Sequence, residues 1–123
     1  VKSYEEGLQI AKEENKNVFI DFTGKTCTNC KKMENTMFPK ASVSSLLDKM
    51  VKVKLITDVR KEPYISNRAL QKEKFNSIAI PLYAIVTPDE EIIATATYTN
   101  SEKKFVEFLE KGVAEKKIAE KNM

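Results

Sequence analysis

Two cysteines stand three residues apart in Lys25-Thr26-Cys27-Thr28-Asn29-Cys30-Lys31, and they are the only cysteines in a chain of 123 residues that has no histidine. The spacing suits a redox dithiol, half of a zinc site or part of a haem-attachment sequence. The last two need ligands that this chain does not supply. No further cysteine and no histidine complete a four-ligand Cys/His zinc site, and the residue after Cys30 is Lys31. A bridge across so short a loop would constrain the unfolded chain little, so a purely structural disulfide has a weak rationale. Thiol–disulfide exchange without a cofactor is the chemistry best supported, and no metal ligand set is assigned. The alternatives are an inert buried pair and a soft-metal module in which the pair is shared across two chains.

The reactive species in exchange is the thiolate, and an unperturbed cysteine with a pKa near ~8.5 is mostly protonated at neutral pH. A helix N-terminus favours negative charge through its unsatisfied N–H groups and dipole, and Lys25, Lys31 and Lys32 add positive charge nearby. From Cys27 onward, Met33, Thr36 and Met37 recur at helical spacing until Pro39 interrupts the pattern. The pair therefore opens a helix. Cys27 is the nucleophile, and Cys30, one turn deeper and shielded, is the resolving thiol.

The elements that must hold this pair can be read around it. Ser3 caps a first helix running to about Asn15, with Leu8, Ile10 and Ala11 on its apolar side and Glu5 and Glu6 at its positive end. Val18-Phe19-Ile20-Asp21-Phe22, ended by Gly24, reads as a buried central strand in which Asp21 is the anomaly. Residues 41–50 form a short helix with Ser42 as cap, and Val51-Lys52-Val53-Lys54-Leu55-Ile56 is a second strand. Residues 62–74 give another helix with Pro63 near its start, and Phe75-Asn76-Ser77-Ile78 leads to a loop from which Pro81 enters a strand. Residues 82–87 and 92–98 make a hairpin about Pro88-Asp89-Glu90-Glu91, a turn without glycine. Ser101 caps a last helix with Phe105, Val106, Phe108, Leu109 and Val113 as its apolar stripe, and the end at 115–123 is expected to fray. A strand–helix–strand start implies parallel pairing, and the later hairpin is antiparallel. The expected fold is α/β, a three-layer α/β/α sandwich with a central mixed β-sheet, in one domain over residues 1–123.

Composition narrows the function classes. The chain is 41% hydrophobic and 32% charged, the balance of an ordinary globular protein. Its longest apolar stretches, such as residues 78–86, fall far short of the ~20 residues of a membrane-spanning helix. The formal charge of +3 comes from 21 basic and 18 acidic residues spread along the chain, which does not suggest a nucleic-acid partner. A start at Val1-Lys2-Ser3 reads as an excised domain or processed product, so localisation cannot be read from it.

Three separated segments resemble the thioredoxin family. In Phe19-Ile20-Asp21-Phe22, Asp21 precedes the first cysteine by six positions, as the family's buried acid does; in Lys54-Leu55-Ile56-Thr57-Asp58 the lysine is similar to the one beside that acid; and Phe75-Asn76-Ser77-Ile78-Ala79-Ile80-Pro81 resembles the approach to the family's cis-proline. The resemblance implies catalytic roles for Cys27, Cys30, Asp21 and Lys54. A buried carboxylate is costly, so Asp21 should either pair with Lys54 or hold a raised pKa fit to exchange a proton with Cys30. A proline at a strand start is ordinarily trans; the resemblance implies a cis Ile80–Pro81 bond facing the cysteines, with Thr26, Thr28, Asn29, Ile80 and Pro81 as substrate contacts.

Within the family, the run from Phe19 to Glu34 is most similar to the C-terminal domain of the thiol:disulfide interchange protein DsbD, of Bacteroides type. That likeness implies a periplasmic, monomeric electron relay that forms transient mixed disulfides with other thiol proteins and takes electrons from a membrane-embedded domain of the same parent chain. The alternative is a stand-alone reductase, with a cytoplasmic location as the second possibility. Thr26 stands where thioredoxins carry tryptophan, and Thr28-Asn29 where they carry Gly-Pro.

Overall fold

In the computed structural model the backbone is described over residues 1–121 and the side chains over residues 1–113. The order is α1 (Tyr4–Glu14), β1 (Val18–Thr23), α2 (Thr28–Lys32), a π-helical turn (Met33–Met37), α3 (Ala41–Leu47), β2 (Val51–Ile56), α4 (Tyr64–Phe75), β3 (Leu82–Val86), β4 (Ile92–Ala96) and α5 (Glu102–Lys121). Caps set several of these boundaries. Ser3 Oγ accepts the Glu6 N–H at the start of α1, and Ser101 Oγ accepts the Lys104 N–H at the start of α5. Asn15 and Asn76 close α1 and α4 in the left-handed region, each at φ 54°, which asparagine tolerates better than most residues. No helix among the described residues is long and apolar enough to cross a membrane.

The sheet runs β2-β1-β3-β4. β1 pairs parallel with β2 and antiparallel with β3, and β3 pairs antiparallel with β4. At the free edge of β2, Lys54 N–H donates to the Val1 carbonyl and the Val1 nitrogen donates to Lys52. Alternation along β1 divides the interior. Val18, Ile20 and Phe22 face a core shared with α1 and α4, whereas Phe19 joins Tyr83, Ile85, Met33, Met37, Val43 and the α5 residues Phe105, Phe108 and Leu109 on the opposite face. The sandwich is thus three layers, α1 and α4 below a mixed sheet and α2, α3 and α5 above it.

Some boundaries differ from the sequence reading. Ser42 does not cap α3: Lys40 holds the N-cap position without a side-chain bond, and Ser42 Oγ instead meets Glu102 Oε2 at 2.6 Å, tying α3 to α5. The fourth helix starts at Tyr64 because Pro63, after a cis Glu62–Pro63 bond, occupies its N-cap. Without a glycine, the hairpin turn places Glu90 at φ 70°. That residue is held from outside the turn, since Tyr4 Oη donates to its carboxylate at 2.8 Å and Lys74 Nζ to its carbonyl at 2.9 Å. The tail expected to fray lies in the stretch whose side chains, and for residues 122 and 123 the backbone, fall outside the described residues.

The upper core is an aromatic cluster with Phe105 near its centre, 1% exposed, its ring centroid 5.4 Å from that of Tyr83, 5.6 Å from Phe108 and 5.9 Å from Phe38. Phe105→Ala should cost about 3–5 kcal/mol in urea unfolding of the oxidised protein, the transfer and cavity cost of a buried ring. A loss below ~1 kcal/mol would mean that α5 is not packed as described.

Candidate active site

The loop that carries the cysteines is anchored before it reaches them. Where β1 and β2 end side by side, Thr57 donates to the Thr23 carbonyl through both its N–H at 3.0 Å and its hydroxyl at 3.3 Å. A Cβ on the following Gly24 would stand 2.5 Å from Asp58 Oδ2 and 2.7 Å from Ile80 Cδ1, so any side chain there would have to displace the Asp58 carboxylate and the tip of Ile80. The Asp58 carboxylate then accepts the Lys25 N–H at 2.9 Å, the Thr26 N–H at 3.0 Å and the Thr26 hydroxyl at 3.0 Å. Desolvation opposes ionisation of Asp58, but these donors outweigh it and hold the carboxyl below its ordinary pKa.

Cys27 is the N-cap of α2, its Sγ accepting the Cys30 N–H at 3.2 Å, and it is bonded to Cys30 in a disulfide with a Cα–Cα distance of 5.3 Å. The chain meets Cys27 in extended conformation and turns helical at Thr28. Cys27 is half-buried and Cys30 is 2% exposed, while Thr26, Thr28 and Asn29 are exposed around them. The Cys27 sulfur therefore lies nearer the surface, and that of Cys30 is shielded one turn below it. Beyond Lys32 the helix widens, with Phe38 N–H reaching the Met33 carbonyl at 2.9 Å, a π turn that keeps Met33 and Met37 buried before Pro39 ends the run. Among the described residues no group of three or more His, Cys, Asp or Glu is placed to hold a metal ion.

Asp21 is 7% exposed and lies in β1 between Lys54 of β2 and Tyr83 of β3. By strand alternation it shares the upper face with Phe19, beneath the helix that begins at the cysteines. Of the two outcomes foreseen for it, pairing with Lys54 is not formed: the Lys54 ammonium reaches Glu34 Oε1 at 3.3 Å instead. Glu34 follows Cys30 by four residues on the same helical run. Burial first, and then the negative charge of Glu34, push the Asp21 carboxyl up to about 7, against a smaller opposing pull from Lys54. Burial and the charges of Asp21 and Glu34 also raise Tyr83.

The Ile80–Pro81 bond is cis. Ile80 is half-buried against the lower core and Pro81 is buried. The segment before them is held by Gln71, which is fully buried in α4 and donates from Nε2 to the Ala79 carbonyl at 2.6 Å. Ser77 Oγ accepts the Ala79 N–H at 3.1 Å. The sequence reading gave no role to Asp58, Glu34 or Gln71. Asp58 was within reach of pattern reasoning: a parallel strand pair places the residues just past β2 beside those just past β1, where two loop amides need an acceptor.

Titration of Asp21 has a stability consequence. A carboxyl raised from 3.8 to about 7 keeps its proton in the folded protein while the unfolded chain ionises, so stability falls as pH rises through that interval and stays lowered above it. Asp21→Asn should therefore be more stable than the native oxidised protein by on the order of 3 kcal/mol at pH 8, relative to the difference between the two at pH 4. Urea unfolding at the two pH values measures this, and a gain independent of pH would contradict the raised carboxyl.

Comparison with known proteins agrees with this arrangement. No curated protein sequence matches the chain. Solved structures share the fold: one titled "DsbH Oxidoreductase" at TM-score 0.75 and 16% identity over 92% of this chain and 83% of its own; a thioredoxin from Thermus thermophilus at 0.75 and 18% over 89% and 82%; and the reduced DsbD C-terminal domain of Neisseria meningitidis at 0.73 and 22% over 88% and 92%. Residues 2–119 match the family described as "Thioredox_DsbH: Protein of unknown function, DUF255". With nearly its whole length matched and its cysteines set at the start of a helix behind the central strand of this fold, the chain belongs to the thioredoxin-like DsbH family.

Proposed function

We propose that the chain reduces disulfides of other proteins by two-step thiol–disulfide exchange. The observation that carries this reading is the Cys27–Cys30 pair itself, bridged across the first turn of a helix with one sulfur at the surface and the other buried. In the reduced protein the amides at the helix start favour negative charge on Cys27 Sγ. The Cys27 thiolate attacks one sulfur of the partner's disulfide, forming a mixed disulfide and releasing the partner's first thiolate. Cys30 then loses its proton to Asp21, attacks Cys27 Sγ, closes the Cys27–Cys30 bond and releases the second thiolate. Two thiols here are oxidised and one disulfide there is reduced; Asp21 gives up the proton it took from Cys30, and the partner's two thiolates take up, through solvent, that proton and the one Cys27 lost on ionising.

A carboxyl with a pKa near 7 suits this shuttle, because it can take and return a proton at neutral pH. Lys54, bonded to Glu34, acts indirectly by tempering the negative charge around Asp21. Thr26, Thr28, Asn29, Ile80 and Pro81 are the proposed substrate contacts, and the Ile80 backbone can pair with an extended partner segment. The resemblance of the run from Phe19 to Glu34 to the DsbD C-terminal domain is the ground for preferring a dedicated electron relay in a bacterial periplasm to a general reductase.

Cys27→Ser should abolish reduction of a disulfide-bonded protein substrate driven by dithiothreitol. Cys30→Ser should accumulate a mixed disulfide on Cys27, visible by mass spectrometry; recovery of one dominant partner supports the relay, and many partners support the general reductase. Asp21→Asn should slow the resolving step about tenfold or more near neutral pH, within the usual range for losing a positioned proton carrier. An unchanged resolving rate in stopped-flow measurements would remove that role.

A further inference from the structure

The two arginines of the chain, Arg60 and Arg68, come from separate segments, the loop after β2 and the second turn of α4. They line one groove of about 710 Å³, together with the side chains of Ile65, Ile78 and Ile80. Neither guanidinium forms a hydrogen bond or ion pair among the described residues, and both residues are exposed. Ile65 and Ile78 are 51% and 47% exposed, unusually open for side chains of this type. Apolar floor and free guanidinium groups therefore share one concavity.

The groove borders the loop that carries the cysteines. Asp58 lines it and anchors the amides of Lys25 and Thr26 immediately before Cys27, and Ile80 lines it immediately before Pro81. Its lining holds two guanidinium groups against the single carboxylate of Asp58. The Asp58 carboxylate is occupied by three donors, the nearby Glu62 carboxylate accepts the Ser66 N–H and hydroxyl, and the Lys25 ammonium lies 5.2 Å from the Tyr64 ring centroid at the start of α4. Guanidinium groups bind carboxylates through paired N–H donors, a geometry that lysine does not offer.

Building on the reductase reading above, we propose that this groove selects the partner. Its occupant is an extended segment of a disulfide-bearing protein that carries Asp or Glu side chains close to the cysteine, with an apolar side chain seated on Ile65 and Ile78. Arg60 and Arg68 are the specificity-determining residues, engaging the carboxylates while the cysteine reaches Cys27.

The test compares two synthetic disulfide-bonded peptides that are identical except that glutamates flanking the cysteine in one are glutamines in the other. The readout is the ratio of their second-order reduction rates on the same protein, which cancels any general loss of activity in a variant. At low salt the ratio should favour the glutamate peptide roughly five- to tenfold and shrink as salt rises, as expected for solvent-accessible ion pairs. In R60Q/R68Q it should fall to about one, and in R60K/R68K it should be partly restored, showing that charge rather than folding is at issue. A ratio of one for the native protein, or a preference untouched in R60Q/R68Q, overturns the proposal while leaving exchange chemistry intact. Failure to reduce either peptide and a small neutral disulfide as well overturns the reductase reading and this proposal with it.

Discussion

Strand β1 is hydrogen-bonded on both sides, to β2 running with it and to β3 running against it, and this double pairing fixes nearly everything else. The carboxyl ends of β1 and β2 and the entry to β3 are brought to one end of the sheet. The cysteine loop leaves from the first, Asp58 follows the second, and Ile80 and Pro81 precede the third. No single segment is special in isolation. The site exists because backbone pairing leaves three chain ends with polar groups to satisfy in a small volume: the first two satisfy each other through Thr57 and Asp58, and the approach to the third is held by Gln71 of α4.

Two carboxyls at this end meet opposite fates for reasons that are plain in their surroundings. Asp58 sits near water among three hydrogen-bond donors and is held ionised, so it serves as a fixed anchor. Asp21 lies inside the sheet with an acidic neighbour and only a diverted lysine to help it, so it holds its proton to near neutrality. Anchoring calls for a permanent charge and proton exchange for a labile one, and burial separates the two by placing one residue within a strand and the other beyond its end.

Much of this was legible in the residues. The apolar run of β1, the caps Ser3 and Ser101, and the helical spacing behind Cys27 gave the element order correctly, because each is a local signal that tertiary packing does not reverse. Lys54 shows where such reading stops. The family resemblance placed it beside Asp21, and the strand register pairs the two, yet which of two neighbouring carboxylates its long side chain reaches depends on where the covering helix sets Glu34. Ser42 illustrates the same limit: a hydroxyl near a helix start can cap its own helix or bind another, and Glu102, 60 residues away, decides the matter. Gln71 gave no signal, since a polar side chain in a helix reads as surface until the loop it holds is in place.

The pairing of Val1 with Lys52 and Lys54 has a bearing on association between molecules. An unpaired strand edge is a template on which another chain can polymerise, and proteins commonly guard both sides of a sheet against it. Here one flank is covered by Val1, and alternate lysines of β2 stand out in solvent beside it. The other flank, β4, has a register irregularity opposite it at Ile85 and Val86. Such a break disturbs the regular ladder an incoming strand would need to copy, so the two borders of the sheet resist fibril-like growth by different means, one by occupation and the other by irregularity.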